Sequence, residues 1–95
     1  MKRILDLRGS GKTKRLMLLA KENDYIFVCF SPYLMQDKAY RYGITGIQFV
    51  SYSDFLNKHF DSPYVIDELE PFLRYTLSEK GYNTKMAGYT LSVDD

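Results

Sequence analysis

The feature that most limits the possible folds is the alternation of short apolar runs with segments of helical periodicity. The run Tyr25–Phe30 is apolar throughout, which is typical of a strand buried on both faces of a sheet. The segment Lys12–Asn23 places Leu16, Leu19 and Ala20 on one side and most of its charges elsewhere, as an amphipathic helix does. This alternation favours parallel strands that are joined by crossover helices.

The pattern continues along the chain and predicts a single domain, residues 1–95, with five strands and four helices. The predicted strands are Arg3–Leu7, Tyr25–Phe30, Ile47–Tyr52, Tyr64–Asp67 and Lys85–Leu91. The predicted helices are Lys12–Asn23, Pro32–Tyr42, Asp54–Phe60 and Pro71–Lys80. Ser31 and Ser53 are placed to cap two of these helices. We therefore expect an α/β fold, a three-layer sandwich in which helices cover a mostly parallel five-stranded sheet.

A glycine-rich segment lies between the first predicted strand and the first predicted helix. Its eight residues are Asp6-Leu7-Arg8-Gly9-Ser10-Gly11-Lys12-Thr13. Seven of the eight fit the phosphate-binding pattern G-x-x-x-x-G-K-[ST], and only Asp6 departs from it. Small residues let successive backbone N–H groups turn towards phosphate oxygens, and a carboxylate repels phosphate unless it points away. We interpret Asp6 as the end of the first strand, with its side chain turned to solvent or to a basic residue.

The residues of this loop have distinct predicted roles. The nucleotide-binding residues are Arg8, Gly9, Ser10, Gly11, Lys12 and Thr13. Lys12 can reach the terminal phosphates, and the Thr13 hydroxyl can bind Mg²⁺. The helix that begins near Lys12 directs its positive dipole end at the phosphates. The alternative is a glycine-rich turn that joins a strand and a helix without binding a ligand.

Two carboxylates, Asp67 and Glu68, follow the fourth predicted strand. Ligands of parallel sheets bind at the carboxyl ends of the strands, so these side chains are expected to face the phosphates. Asp67, with Thr13, is the predicted magnesium site, and Lys12 and Glu68 are the predicted catalytic residues, Glu68 by polarising the attacking water. The alternative is that both acids only favour the start of the next helix. Thr90, in the last predicted strand, could sense the terminal phosphate or serve as an ordinary strand residue.

Taken together, these motifs resemble the first RecA-like lobe of a helicase, reduced to a minimal P-loop NTPase core. Arg8–Thr13 is similar to the Walker A loop in the form found in phage terminase motors, and Val65–Glu68 is similar to Walker B. Phe30–Leu34 and Phe49–Leu56 resemble segments that follow in helicases, and Tyr89–Ser92 is placed like the motif that ends the lobe. The chain also resembles small phage and prophage proteins with a lone P-loop domain. The resemblance implies ATP and Mg²⁺ as cofactors and a role in phage or prophage DNA replication or metabolism.

The resemblance does not extend to the second lobe of a helicase, which supplies an arginine for hydrolysis. It implies that hydrolysis needs an arginine from a replication protein or from another copy of the chain, with Arg41 and Arg74 as candidates by elimination. The leading hypothesis is a Mg²⁺-dependent ATP-binding protein, with slow ATP hydrolysis left open. The alternative is a non-enzymatic module that binds or blocks a replication protein. A nucleotide kinase ranks third, because the chain has no room for an arginine-rich lid.

Composition and charge limit the partners. The net charge of +1 gives no global basic field, so single-stranded nucleic acid would have to bind a local patch such as Lys38–Tyr42. Cys29, the sole cysteine, lies in an apolar run, which predicts a buried and unreactive thiol without a disulfide. No apolar run approaches the ~20 residues of a membrane span, and no secretory signal is evident. We expect a cytoplasmic protein without membrane contact, in the host cytoplasm if a phage encodes it.

Overall fold

The computed structural model describes residues 11–81, 87, 88 and 90. Within these residues the helices and strands alternate in a regular order. In chain order they are helix α1 (Lys12–Asn23), strand β1 (Ile26–Cys29), helix α2 (Pro32–Arg41), strand β2 (Phe49–Ser51), helix α3 (Tyr52–Asn57), strand β3 (Tyr64–Ile66) and helix α4 (Leu69–Glu79). The fold is therefore α/β, as the alternation of apolar runs and helical patterns predicts.

Strand β1 is the centre of a three-stranded sheet with the order β2-β1-β3 in the described part of the chain. Both neighbours are parallel to β1, and Phe27 of β1 lies opposite Phe49 and Val65. All four side chains of β1 are buried. Phe27 and Cys29 pack on one face of the sheet and the other two on the opposite face. The apolar character of Ile26–Cys29 is explained, because both faces of the central strand are covered. Phe30, which ends the predicted strand, lies outside β1 and is exposed.

Two helices cover each face of the sheet. On one face, Met17 and Ala20 of α1 and Ala39 of α2 form a buried cluster with β1. On the other face, Phe55 of α3 and Phe72 of α4 pack around the sheet, with their ring centroids 6.2 Å apart. The helices thus form the two outer layers, and the carboxyl ends of all three strands point to one edge of the sheet.

The predicted five-stranded RecA-like core is wrong. The described residues form three strands. The predicted strand Lys85–Leu91 is not formed at its three described residues. Ala87, Gly88 and Thr90 are exposed and lie in neither a helix nor a strand. Gly88 weakens a strand because it has no side chain to pack, and the three described residues of this range pair with none of the described strands. The predicted first strand, Arg3–Leu7, lies outside the described residues.

Serine residues cap two of the helices, one of them at an unexpected position. The Ser31 hydroxyl accepts a hydrogen bond from a backbone N–H in the first turn of α2, as predicted. Helix α3 is capped by Ser51 rather than by Ser53, because the Ser51 hydroxyl accepts from the Asp54 N–H at 3.0 Å. Helix α3 consequently begins at Tyr52, directly after β2. This earlier start fixes Tyr52 at the carboxyl edge of the sheet.

The end of α1 allows a test of backbone conformation. Asp24 adopts the left-handed region, with φ 57° and ψ 41°, and its N–H donates to the last turn of the helix. Glycine adopts this conformation without a Cβ penalty, and it also removes an acid from the negative end of the helix dipole. We expect Asp24→Gly to raise the free energy of unfolding by about 1 kcal/mol, as measured by urea-induced unfolding. Glu22→Gly, inside α1, should lower it by about 1 kcal/mol, and two changes of the same sign would contradict this account.

Candidate functional site

The carboxyl end of β3 meets the first turn of α1. Asp67 follows β3 directly, and its N–H donates to the Val28 carbonyl at 2.9 Å, which continues the pairing with β1. The Thr13 hydroxyl donates to Asp67 Oδ1 at 3.3 Å, across 54 positions of sequence. The Lys12 ammonium lies 3.3 Å from Glu68 Oε1. The structure therefore brings four of the sequence-predicted site residues together at one edge of the sheet.

The first turn of α1 presents backbone donors at this edge. The helix begins at Lys12, and Gly11 precedes it with φ 85°, a conformation that favours glycine. The first turn contains no acidic residue, and no described side chain caps it. The first N–H groups of a helix have no partner within the helix, and the helix dipole makes this end positive. Such an end of a helix is suited to bind an anion such as phosphate.

Asp67 is the buried carboxylate of the site, with 8% of its surface exposed. Burial is the main cause that raises its pKa, and the negative charge of Glu68 raises the pKa further. The hydrogen bond from Thr13 and the positive charges of Lys38 and Lys12 lower the pKa in part. Two neighbouring carboxylates are thus held where additional positive charge is electrostatically favourable.

The pair formed by Thr13 and Asp67 fits the chemistry of Mg²⁺. This ion prefers hydroxyl and carboxylate oxygens and usually keeps several of its water ligands. The two oxygens of the pair lie 3.3 Å apart, so they offer both ligand types at one point. No group of three or more His, Cys, Asp and Glu side chains suited to a metal is found among the described residues. With the Thr13 and Asp67 oxygens together, the site offers two ligands to an ion such as Mg²⁺, which phosphates can complete.

Glu68 is oriented by an unusual backbone conformation. It precedes α4 in the left-handed region, with φ 61° and ψ 75°, and its side chain makes no capping hydrogen bond. Its carboxylate pairs instead with Lys12 of α1, and 42% of the Glu68 side chain is exposed. Glu68 also stands at the N-terminal end of α4, where the helix dipole favours an acid, but its side chain contacts α1.

Two residues at this edge were not among the sequence-predicted site residues. The Tyr52 hydroxyl donates to the backbone carbonyls of Asp67 at 2.7 Å and Glu68 at 3.3 Å. Lys38 of α2 is half-buried, and its positive charge lowers the pKa of Asp67. The position of Tyr52 at the end of a parallel strand was a usable signal, because such ends meet at one edge. Lys38, inside a helix, carried no comparable signal.

The other sequence-predicted residues lie elsewhere or outside the described part. Arg8, Gly9 and Ser10, together with the departing Asp6, are outside the described residues. Thr90 is exposed and lies in neither a helix nor a strand, and no hydrogen bond or ion pair joins it to another described residue. The structure therefore gives Thr90 no hydrogen bond to Lys12, Thr13 or Asp67.

Both candidate arginines are engaged in pairs on their own helices. Arg41 pairs with Asp37 at 2.8 Å. Arg74 pairs with Glu70 at 2.7 Å. More than half of each arginine side chain is exposed, so these are surface pairs of one helix rather than parts of the site.

The prediction of a buried thiol at Cys29 is confirmed. Only 1% of Cys29 is exposed, in the cluster beneath α1 and α2. Burial, and secondarily the charge of Asp67, raises the pKa of this thiol to about 12. The thiol therefore stays protonated near neutral pH and has no nucleophilic role in the site.

No model of a known protein family, no curated protein and no solved structure matches the chain. Among the described helices, none has both the length and the apolar character needed to cross a membrane. Function must consequently be inferred from the residues that meet where α1 and β3 adjoin.

Proposed function

We propose that the protein binds ATP together with Mg²⁺ at the edge where α1 meets β3. The observation that carries this proposal is the contact between two motifs that are 54 positions apart, through the Thr13–Asp67 hydrogen bond. The Lys12–Glu68 ion pair joins the same motifs. A lysine and a hydroxyl at a helix start, facing two carboxylates at a strand end, are the groups that phosphate and magnesium require. A turn that only connects a strand to a helix does not require these contacts.

Each group has a role in the proposed complex. The N–H groups at the start of α1 bind phosphate oxygens, and Lys12 neutralises charge on the terminal phosphates. Thr13 and Asp67 hold Mg²⁺ through their side-chain oxygens. When bound, the ion offsets the negative charge of the phosphates. Arg8–Ser10 complete the phosphate loop in this proposal on the basis of sequence alone.

Slow ATP hydrolysis is a second part of the proposal, with Glu68 as the candidate base. The Glu68 carboxylate pairs with Lys12, so it becomes able to orient water only when Lys12 turns to the phosphates. Arg41 and Arg74 are paired on their own helices. A positive charge for the transition state would therefore come from a partner protein or another copy of the chain. We accordingly expect ATP binding to be readily detected and hydrolysis to be weak.

Isothermal titration calorimetry with ATP tests the proposal directly. We expect saturable binding with Mg²⁺ and weaker binding when EDTA removes the ion, because Asp67 and Glu68 then repel the phosphates without compensation. AMP should bind much more weakly than ATP, since it lacks the phosphates that Lys12 and Mg²⁺ contact. Absence of binding at millimolar ATP with Mg²⁺ would contradict the proposed function.

We also propose, from the resemblance of the motifs, that ATP binding serves phage or prophage DNA replication or metabolism. The candidate contact for single-stranded DNA is the segment Lys38–Tyr42. Tyr40 is 78% exposed and available for stacking. Ala39 is buried and Arg41 is paired with Asp37. Fluorescence anisotropy with a labelled oligonucleotide, with and without ATP, tests this role.

A non-enzymatic interaction module is the second candidate, and exposed apolar residues favour it. Phe30, Tyr33 and Leu34 lie at the carboxyl end of β1 and the start of α2, with 74%, 82% and 60% of their surfaces exposed. Exposed apolar patches often mark protein contacts, here with a replication protein or a second copy. A pull-down that survives both Lys12→Ala and Glu68→Gln would favour this candidate, and one that either substitution abolishes would count against it.

A further inference from the structure

Tyr52 places a rigid hydroxyl group at the candidate site. It is the first residue of α3, and Ser51 caps that helix. Its ring packs against Phe72 and Tyr75 of α4, with centroid distances of 5.1 Å and 5.9 Å. Only 2% of Tyr52 is exposed, and burial raises the pKa of its hydroxyl to about 12. The ring packing and the capped helix start therefore hold the hydroxyl group in a fixed position.

The hydroxyl is bonded to the backbone of the acidic turn rather than to its side chains. It donates to the Asp67 carbonyl at 2.7 Å and to the Glu68 carbonyl at 3.3 Å. Glu68 has φ 61°, a conformation that is unfavourable for a residue with a side chain. Such a conformation persists where surrounding contacts fix it. The bonds from Tyr52 are tertiary contacts that fix the backbone on both sides of this turn.

Tyr52 and helix α1 approach the turn from opposite faces of the sheet. Tyr52 belongs to the cluster formed with α3 and α4, whereas α1 belongs to the cluster on the other face. The carboxylates of Asp67 and Glu68 contact α1 while their carbonyls are held by Tyr52. A change in the position of these carbonyls would therefore move both carboxylates relative to Lys12 and Thr13.

We infer that Tyr52 is a positioning residue of the proposed nucleotide site, an inference that rests on the proposed function. By holding the two carbonyls of the acidic turn, Tyr52 aims the Asp67 carboxylate at Thr13 and the Glu68 carboxylate at Lys12. It contacts neither phosphate nor metal itself. Its effect should consequently be greatest on the Mg²⁺-dependent part of ATP binding, which requires the geometry of Asp67.

The decisive variant is Tyr52→Phe, which keeps the ring and removes only the hydroxyl. Its matched control is Tyr75→Phe, which removes a hydroxyl from the same ring cluster without touching the acidic turn. We expect Tyr52→Phe to weaken ATP binding in the presence of Mg²⁺ about fivefold, because the metal ligands lose their alignment. Binding in EDTA should not weaken, because a Glu68 carboxylate that is no longer aimed at Lys12 competes less with the phosphates. Tyr75→Phe should bind ATP as the wild type does under both conditions. A Tyr52→Phe protein that binds ATP and Mg²⁺ as the wild type does overturns the inference.

A second measurement needs no nucleotide and separates this inference from the proposed function. In NMR spectra of the protein without ATP, Tyr52→Phe should shift the amide resonances of Lys12 and Thr13, and Tyr75→Phe should not. If the wild type binds no ATP, the proposed function fails, and with it the positioning role. The amide shifts then still report whether Tyr52 controls the contacts between the acidic turn and α1. If the Lys12 and Thr13 amide resonances do not shift in Tyr52→Phe, Tyr52 does not control these contacts, whatever the binding result.

Loss of stability in the variant is measured separately by urea unfolding. If Tyr52→Phe is substantially unfolded, both measurements are repeated for all three proteins in trimethylamine oxide, which favours the compact state. A fully folded variant that regains wild-type Mg²⁺ dependence under these conditions overturns the positioning role. A folded variant that keeps the weaker Mg²⁺-dependent binding supports it.

Discussion

Replacing Lys12 with alanine is expected to weaken ATP binding about 100-fold, equivalent to about 2.8 kcal/mol of binding free energy. The Lys12 ammonium lies at the start of α1, 3.3 Å from the Glu68 carboxylate. In the proposed complex it turns from Glu68 to the phosphates, whose multiple charges attract it more strongly than one carboxylate. Its removal also leaves Glu68 without a counter-ion beside the phosphates. Both the lost attraction of Lys12 and the added repulsion by Glu68 weaken ATP binding. Isothermal titration calorimetry with ATP and Mg²⁺ measures their combined effect on the affinity.

Lys14→Ala is the matched control for Lys12→Ala. Both substitutions remove one positive charge from the first turn of α1, but Lys14 is exposed and lies over the Tyr42 ring, 5.6 Å from its centroid. Lys14→Ala should change ATP affinity less than about threefold, because screening by salt weakens the effect of a distant exposed charge. Both variants should stay folded, since partly exposed ion pairs contribute little to stability. Equal losses of affinity would show that Lys12 acts through general charge rather than at a defined site.

The elements that the sequence predicted well are those whose signals are local. The bounds of α1 are as predicted, because its amphipathic period runs from the glycine loop to Asp24, which ends the helix in the left-handed conformation. The burial of β1 on both faces also follows from its uninterrupted apolar run. The start of α3 was misplaced by two residues, because Ser51 and Ser53 are both suitable caps and only tertiary packing of Tyr52 chooses between them.

The number of strands could not be predicted from local signals. A strand at the edge of a sheet depends on a neighbouring strand, and Lys85–Leu91 has a strand-like composition only in part. Gly88, which has no side chain to pack, and the polar Thr90 interrupt its apolar pattern, and both are exposed. The central strand β1 and its two neighbours form because they pair with each other and helices cover both faces of the sheet. Residue composition alone does not supply such a pairing partner.

The approach of Thr13 to Asp67 followed from the sequence, because a helix start and a strand end in a parallel α/β unit meet at the same edge. The left-handed turn at Glu68 did not, since glutamate gives no signal for positive φ. The hydrogen bonds of Tyr52 were equally hidden. They depend on the relative position of β2 and β3, which are separated by β1 in the sheet. Sequence motifs thus indicated which groups meet but not which residue holds them in place.

Removing the charge of Glu68 should strengthen ATP binding in the absence of Mg²⁺. In the structure the Glu68 carboxylate competes for Lys12, since their charged atoms lie 3.3 Å apart and both side chains are partly exposed. The same carboxylate would repel phosphates that approach Lys12. Glu68→Gln removes the competition and the repulsion together. We expect ATP affinity in EDTA to rise about tenfold, a magnitude appropriate to charges separated by a few ångströms near a protein surface.

The control for Glu68→Gln is Glu70→Gln, two residues further along. Glu70 lies in the first turn of the same helix and pairs with Arg74 at 2.7 Å, so its charge is already balanced away from α1. Its substitution should leave ATP affinity in EDTA within about twofold of the wild type, because exposed charges are screened over short distances. With Mg²⁺ present, Glu68→Gln should raise ATP affinity much less, because the ion offsets the carboxylate charge. Any slow ATP hydrolysis should be lost in this variant, because Glu68 is the candidate base. A Glu68→Gln protein that binds ATP more weakly in EDTA would mean that Glu68 supports the phosphate loop rather than competing for its lysine.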